Sequence, residues 1–182
     1  EEPFKQCPGS QDDDWVPITA CPTLEIGRNS AFPSGGMDRA VELIAPSSYD
    51  GSQAVPLIFA WHGITADIQS MIDGGDLRRQ AEDYGVIFAV PQGEEIGGIP
   101  GWDPFTGDGD NKDLLFYDDL RTCITEQFNI DSQRIYTTGI SNGGLLSGVL
   151  LVERSDELAA AAPISGGINI PYADVARKIP TM

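Results

Sequence analysis

Along the chain, short apolar runs alternate with stretches whose apolar residues recur every three or four positions, the pattern of strands interleaved with helices. Val41, Leu43 and Ala45 fall on one side of a two-residue alternation that Pro46 ends, which predicts a half-buried strand, although Ile44 blurs it. Residues 56–60 (Pro-Leu-Ile-Phe-Ala) and 86–90 (Val-Ile-Phe-Ala-Val) are continuous apolar runs, as expected of strands covered on both faces. Residues 134–138 and 159–164 are further strand candidates. Between these runs, Leu77, Ala81 and Tyr84 share one helical face, with Asp76 placed to cap it and Gly85 to end it. Phe116, Leu120, Cys123 and Ile124 recur at the same spacing, with Asp113 as a cap and Asp118 and Asp119 early in the helix. Strands alternating with helices predict an α/β sheet joined by crossovers, its central strands parallel. Residues 1–36 differ: Asp12, Asp13, Asp14, Pro17, Pro22, Pro33, Gly35 and Gly36 interrupt every apolar run, which predicts an irregular arm ahead of a domain over residues 37–182.

Composition narrows the function. The 182 residues suit one core with at most a small appendage, and no apolar run approaches the roughly 20 residues needed to span a bilayer. Eleven Lys and Arg against 28 Asp and Glu give a formal charge of −17, a field that repels phosphate backbones and anionic lipid surfaces. Nucleic-acid and membrane partners are therefore not expected. The chain begins at Glu1 rather than Met and has no basic-then-apolar leader, which predicts a secreted, processed protein. Three cysteines allow one disulfide and one sulfur left over. Cys7 and Cys21 lie in a loop-rich stretch that could use a staple, whereas Cys123 reads equally well as a buried free thiol.

The strongest chemical signal is Gly139-Ile140-Ser141-Asn142-Gly143-Gly144. It follows the strand candidate 134–138 and precedes Leu145, Leu146, Val149 and Leu150, an apolar helical face. Strand, sharp turn and helix are the context of a nucleophile elbow, in which a serine sits in a strained turn between small neighbours. Ser141 is the candidate nucleophile. A second signal, Trp61-His62-Gly63-Ile64-Thr65, directly follows the buried strand at 56–60. In this architecture that loop supplies one N–H of an oxyanion hole and the residue after the nucleophile supplies the other. Ile64, with Thr65 second, and Asn142 are the candidate donors. His62, the only histidine, is read as shaping the loop rather than as a general base.

These pieces in this order, together with Gly101-Trp102-Asp103, Asp118-Asp119-Leu120 and Ala162-Pro163-Ile164-Ser165-Gly166-Gly167, resemble the secreted α/β-hydrolase esterases that include feruloyl esterases and polyhydroxybutyrate depolymerases. The resemblance runs from about Val41 to the end of the chain, and Cys21-Pro22-Thr23-Leu24 is similar to the N-terminal cysteine segment of the feruloyl esterase branch. It implies an α/β-hydrolase fold with a mostly parallel sheet and helices on both faces, and a Ser-His-Asp triad with Ser141 as nucleophile. It implies an ester substrate linked to plant cell-wall polysaccharide, feruloyl first, with polyhydroxyalkanoate or acetyl-xylan esters as alternatives. No cofactor or metal is implied. In such enzymes the acid and then the histidine follow the serine, and no such pair is evident before residue 182. The expectation is therefore the front part of an esterase whose C-terminal part is missing here or supplied as a separate piece. A catalytically silent carbohydrate-binding protein on the same fold is the competing reading from another class.

Three other features complete the list. Asp103, Asp108, Asp110, Asn111 and Asp113 form an oxygen-rich loop that lacks calcium-loop spacing and reads as solvated. Trp102 either stacks on a substrate ring at the site mouth or covers the core edge; with Thr65 it is a candidate substrate contact. Residues 165–167 are placed at the cleft rim.

Overall fold

The computed structural model describes residues 17–107, 109, 111–170 and 176–181. Its centre is the pair of apolar runs seen in the sequence. They form β3 (Val55–Trp61) and β4 (Ile87–Pro91), which lie side by side in parallel with Ile58 opposite Phe88. On the other side of β3 runs β7 (Ile130–Ile140), and beyond it β8 (Ala160–Ile164), both parallel to it. Antiparallel to β4 is β2 (Met37–Ile44), which pairs in turn with β1 (Gly27–Ser34). The strand order is β1-β2-β4-β3-β7-β8.

Alternation along the strands separates two cores. Leu57, Phe59 and Trp61, with Ile87 and Ala89, face one side, where α3 (Lys112–Gln127) and α4 (Asn142–Glu153) pack. Ala60, Phe88 and Val90 face the other, against α1 (Ile68–Gly75) and α2 (Leu77–Tyr84). Burying both faces explains why β3 and β4 read as unbroken apolar runs rather than as alternating strands. The expected strands at 134–138 and 159–164 lie within β7 and at β8.

Several expectations are corrected. The sheet begins before residue 37, because β1 occupies part of the stretch expected to be irregular; six of its residues pair with β2, and Phe32 is buried. α1 was not expected: the glycine pair at its end suggests a loop, but a capping box between Asp67 and Ser70 starts a helix that buries Ile68 and Ile72. α3 is capped by Asn111, whose side chain accepts from the N–H groups of Asp113 and Leu114, and not by Asp113. Tyr84, expected on the buried face of α2, is 73% exposed, while Leu77 and Ala81 are buried as expected. Cys123 is not a free thiol: it is bonded to Cys21 and ties residues 17–26 to α3. Cys7 lies outside the described residues. A short hairpin, β5 (Glu94–Ile96) with β6 (Ile99–Gly101), leads into the Trp102 segment.

Candidate active site

Ser141 sits where β7 ends and α4 begins, in a conformation that side chains resist. Its φ of 54° and ψ of −116° fall outside the ordinary wells, and such strain persists only where neighbours fix it. The Ser141 N–H donates to the Ile164 carbonyl at 2.9 Å, and its own carbonyl accepts from Leu145 N–H at 2.9 Å. The hydroxyl makes no capping bond, and the residue is exposed. Glycines make room for the turn. A Cβ on Gly139 would lie 2.3 Å from the Gly143 carbonyl oxygen, and one on Gly143 would lie 2.2 Å from that of Trp61. The helix start is thereby pressed against the end of β3, bringing residues 61–65 beside the serine. A Cβ on Gly63 would be 3.7 Å from the Ser141 Cβ. A chain of buried polar contacts supports this packing. Trp61 Nε1 donates to Thr137 Oγ1, Thr137 contacts Ser147, and Ser147 Oγ donates to the Gly143 carbonyl.

After β3 the chain makes a turn in which Ala66 N–H donates to the Gly63 carbonyl and Thr65 adopts a φ of 66°. The Thr65 N–H donates to the Pro100 carbonyl at 2.9 Å, so it is committed and does not serve as a second oxyanion donor. The Ile64 N–H has no acceptor among the described residues. The Asn142 N–H, the first of α4, has no carbonyl one turn back within the helix. Among the described residues neither expected donor has an acceptor, and Asn142 directly follows the serine. Ile64, Ile140 and Ile164 are 53%, 45% and 54% exposed. A recess of about 250 Å³ is lined by Ile140 and Ile164 together with Gly63, Ala66 and Met71.

His62 is fully buried and fixed at both nitrogens. Nδ1 lies 2.8 Å from the Gly63 carbonyl, which can only accept, and Nε2 receives the Gly93 N–H at 2.9 Å. Nδ1 therefore carries the proton and the ring is neutral. Burial lowers its pKa below the ordinary histidine range. These bonds tie the loop after β3 to Gly93. The partners Gln92 and Gly93 were not foreseen, and no local pattern marks them.

Trp102 does not line the mouth of the site. It is 1% exposed, stands edge-on to Trp61 with centroids 5.0 Å apart, and donates from Nε1 to the His62 carbonyl at 2.8 Å. Burial in a crowded core explains the correction: the ring covers the floor beneath the 62–65 loop. Thr65 is exposed beside it. Behind Trp102, Asp103 N–H donates to Asp113, which pairs with buried Arg39 at 2.9 Å. Burial pushes the Asp113 carboxyl up, against the pull of Arg39. Asn111 donates to the Asp103 and Thr106 carbonyls, so the oxygen-rich loop is used internally at these positions; Asp108 and Asp110 lie outside the described residues. Gly166 packs against the start of α4, where a Cβ would lie 2.3 Å from the Gly144 carbonyl carbon.

No protein-family model matches the chain. It is similar to feruloyl esterase D of Neurospora crassa, 29% identical over 165 residues, covering 83% of this chain and 54% of that protein. Among solved structures it superposes on native pOPH with a TM-score of 0.68 at 20% identity, covering 84% of this chain and 56% of the other. It also superposes on acetyl xylan esterase from Aspergillus awamori, with a TM-score of 0.59 at 20% identity, covering 68% and 45%. The fold is that of the α/β-hydrolases. The chain spans about half the length of these relatives. Within that fold Ser141 occupies the turn from β7 into α4.

Proposed function

We propose that this chain carries the nucleophile and oxyanion hole of a serine carboxylic-ester hydrolase. The observation that carries the reading is the strained, exposed Ser141 beside the 61–65 loop, with the N–H groups of Ile64 and Asn142 uncommitted among the described residues. Ser141 Oγ attacks the ester carbonyl carbon, and the carbonyl oxygen, now negative, is held by the two N–H groups. Collapse expels the alcohol and leaves an acyl group on the serine, which water then removes.

The attack needs a base. His62 is not available, since Nδ1 is bonded to the Gly63 carbonyl and Nε2 to the Gly93 N–H, so the reading assigns proton transfer to a histidine supplied from outside these 182 residues. The substrate class is an ester of plant cell-wall polysaccharide, feruloyl first, with acetyl-xylan and polyhydroxyalkanoate esters as alternatives. The similarity to feruloyl esterase D and acetyl xylan esterase supports this choice. Work outside the cytosol agrees with the Cys21–Cys123 disulfide, a bond favoured in oxidising compartments.

In a preparation that contains the part supplying the histidine, a fluorophosphonate probe should label Ser141, and Ser141→Ala should abolish labelling and reduce hydrolysis of methyl ferulate by about 10³-fold or more. Unchanged turnover in the folded variant would sink the assignment, and binding of xylan oligosaccharides without any labelling would favour the silent carbohydrate-binding reading.

A further inference from the structure

Both oxyanion donors are tied to one short segment that does not itself face the ester. The Asn142 side chain is bonded at both ends to the main chain of Trp102: Oδ1 accepts the Trp102 N–H at 2.8 Å and Nδ2 donates to the Trp102 carbonyl at 3.0 Å. One residue earlier, Gly101 lies against the side chains of both Asn142 and Ile64. A Cβ there would lie 3.2 Å from Asn142 Oδ1 and 3.6 Å from Ile64 Cγ1. One residue earlier again, the Pro100 carbonyl accepts the Thr65 N–H, orienting the peptide next to Ile64. The Trp102 indole completes the set by donating to the His62 carbonyl.

The segment is also held from behind. β6 pairs with β5, and Gly93 is packed so tightly on Gly101 that a Cβ would lie 2.5 Å from the Gly101 oxygen. The same Gly93 donates its N–H to His62. Residues 62–65, 93, 100–102 and 142 therefore form a closed ring of contacts.

We infer that residues 100–102 act as a strut that sets the separation and direction of the Ile64 and Asn142 N–H groups, with the Asn142 side chain as its positioning residue. Asn142 then has two separate roles: its main-chain N–H touches the oxyanion, and its amide fixes where that N–H points. The inference rests on the ester-hydrolase reading for its catalytic consequence, and on geometry alone for the strut. An oxyanion donor acts only when aimed at the developing charge, and losing one costs about 10²–10³ in kcat. A misaimed donor should cost less than a lost one.

The test uses Asn142→Ala, which keeps the main-chain N–H and removes both strut bonds, and Asn142→Asp, which keeps the acceptor and loses the donor. Amide hydrogen exchange, which needs no turnover, should be faster at Thr65 and Trp102 in Asn142→Ala, with Trp102 less affected in Asn142→Asp, which keeps the acceptor of its N–H; unchanged exchange in Asn142→Ala would overturn the strut. In hydrolysis of methyl ferulate by a preparation that contains the histidine-supplying part, kcat should fall about 10- to 100-fold in Asn142→Ala with KM within about twofold, and less in Asn142→Asp. The fall should shrink for the matching thionoester, whose sulfur accepts hydrogen bonds weakly, an effect that general loosening of the fold would not produce. A raised KM at unchanged kcat, or equal losses for ester and thionoester, would overturn the positioning role. Should Ser141→Ala hydrolyse as well as the parent, the ester-hydrolase reading fails and the exchange result still decides whether the strut exists.

Discussion

At Ser141 and His62 two polar residues are held in opposite ways. Ser141 is strained and its hydroxyl has no partner among the described residues, whereas His62 is buried and bonded at both ring nitrogens. The difference yields a pH prediction. Burial lowers the folded-state pKa of His62, so between that value and about 6.5 the unfolded chain binds a proton that the folded chain does not. The stability contributed by a neutral His62 is therefore complete above pH 6.5 and lost as pH falls through that window. His62→Gln should unfold at lower denaturant than the parent at pH 8, by about 1–3 kcal/mol for the disturbed buried bonds. The gap should narrow as pH drops below 6.5. Its kcat should fall no more than about tenfold, where loss of a true base costs on the order of 10³ or more. A constant gap across pH, or a loss of that size, would show that His62 titrates or acts in the reaction. At this scale the strand-to-helix turn at Ser141 and the loop at Ile64 were legible because a turn between small residues and a loop after a buried strand have local signatures; the catalytic roles given to Ser141, Ile64 and Asn142 are the proposal. The Asn142 amide, Gln92 and Gly93 were not, because their roles depend on segments 30 to 40 residues away that only the fold brings together.

Among the elements, those whose burial is set by their own sequence were the easiest to read. β3 and β4 are apolar on both faces because both faces are covered, and the run itself carries that information. β1 could not be read in this way. Gly27, Asn29 and Pro33 argue against a strand, and only pairing with β2 makes one of it. The helix α4 shows the reverse dependence, in which glycines that look helix-breaking are demanded by packing. A Cβ on Gly148 would lie 2.0 Å from the Gly167 carbonyl oxygen, whereas one on Gly74 in α1 would meet nothing within 4 Å. Gly148→Ala should therefore destabilise by about 1–3 kcal/mol as main chain is forced apart, and Gly74→Ala should stabilise by about 0.4–1 kcal/mol through the unfolded state. Paired urea titrations check both, and equal effects would show that the α4–167 contact is looser than the geometry requires.

On the scale of the whole molecule, the alternation of strands and helices was enough to indicate an α/β sheet, but the route of the N-terminal residues was not. Their anchor is non-local. Cys21 and Cys123 are 102 residues apart in sequence, Leu24 N–H donates to Gln127 Oε1, and Ile18 N–H donates to Asp119. A loop of that length loses much of its unfolded-state freedom when closed, which the chain-entropy account puts at roughly 4–5 kcal/mol, with 2–5 kcal/mol typical on removal. The effect should be confined to stability. Cys123 lies ten residues beyond Asp113, about 15 Å along α3 at 1.5 Å per residue. Asp113 is the end of that helix that reaches the Trp102 segment. Replacing both Cys21 and Cys123 with Ala should thus lower the unfolding free energy by about 2–5 kcal/mol, while fluorophosphonate labelling of Ser141 at 25 °C keeps its rate within about twofold. The double variant avoids leaving a lone reactive thiol. A slowed labelling rate in the folded variant would show that the N-terminal anchor holds the elbow as well as the core, and an unchanged unfolding midpoint would show that Leu24, Ile18 and their side-chain acceptors hold these residues without the bond.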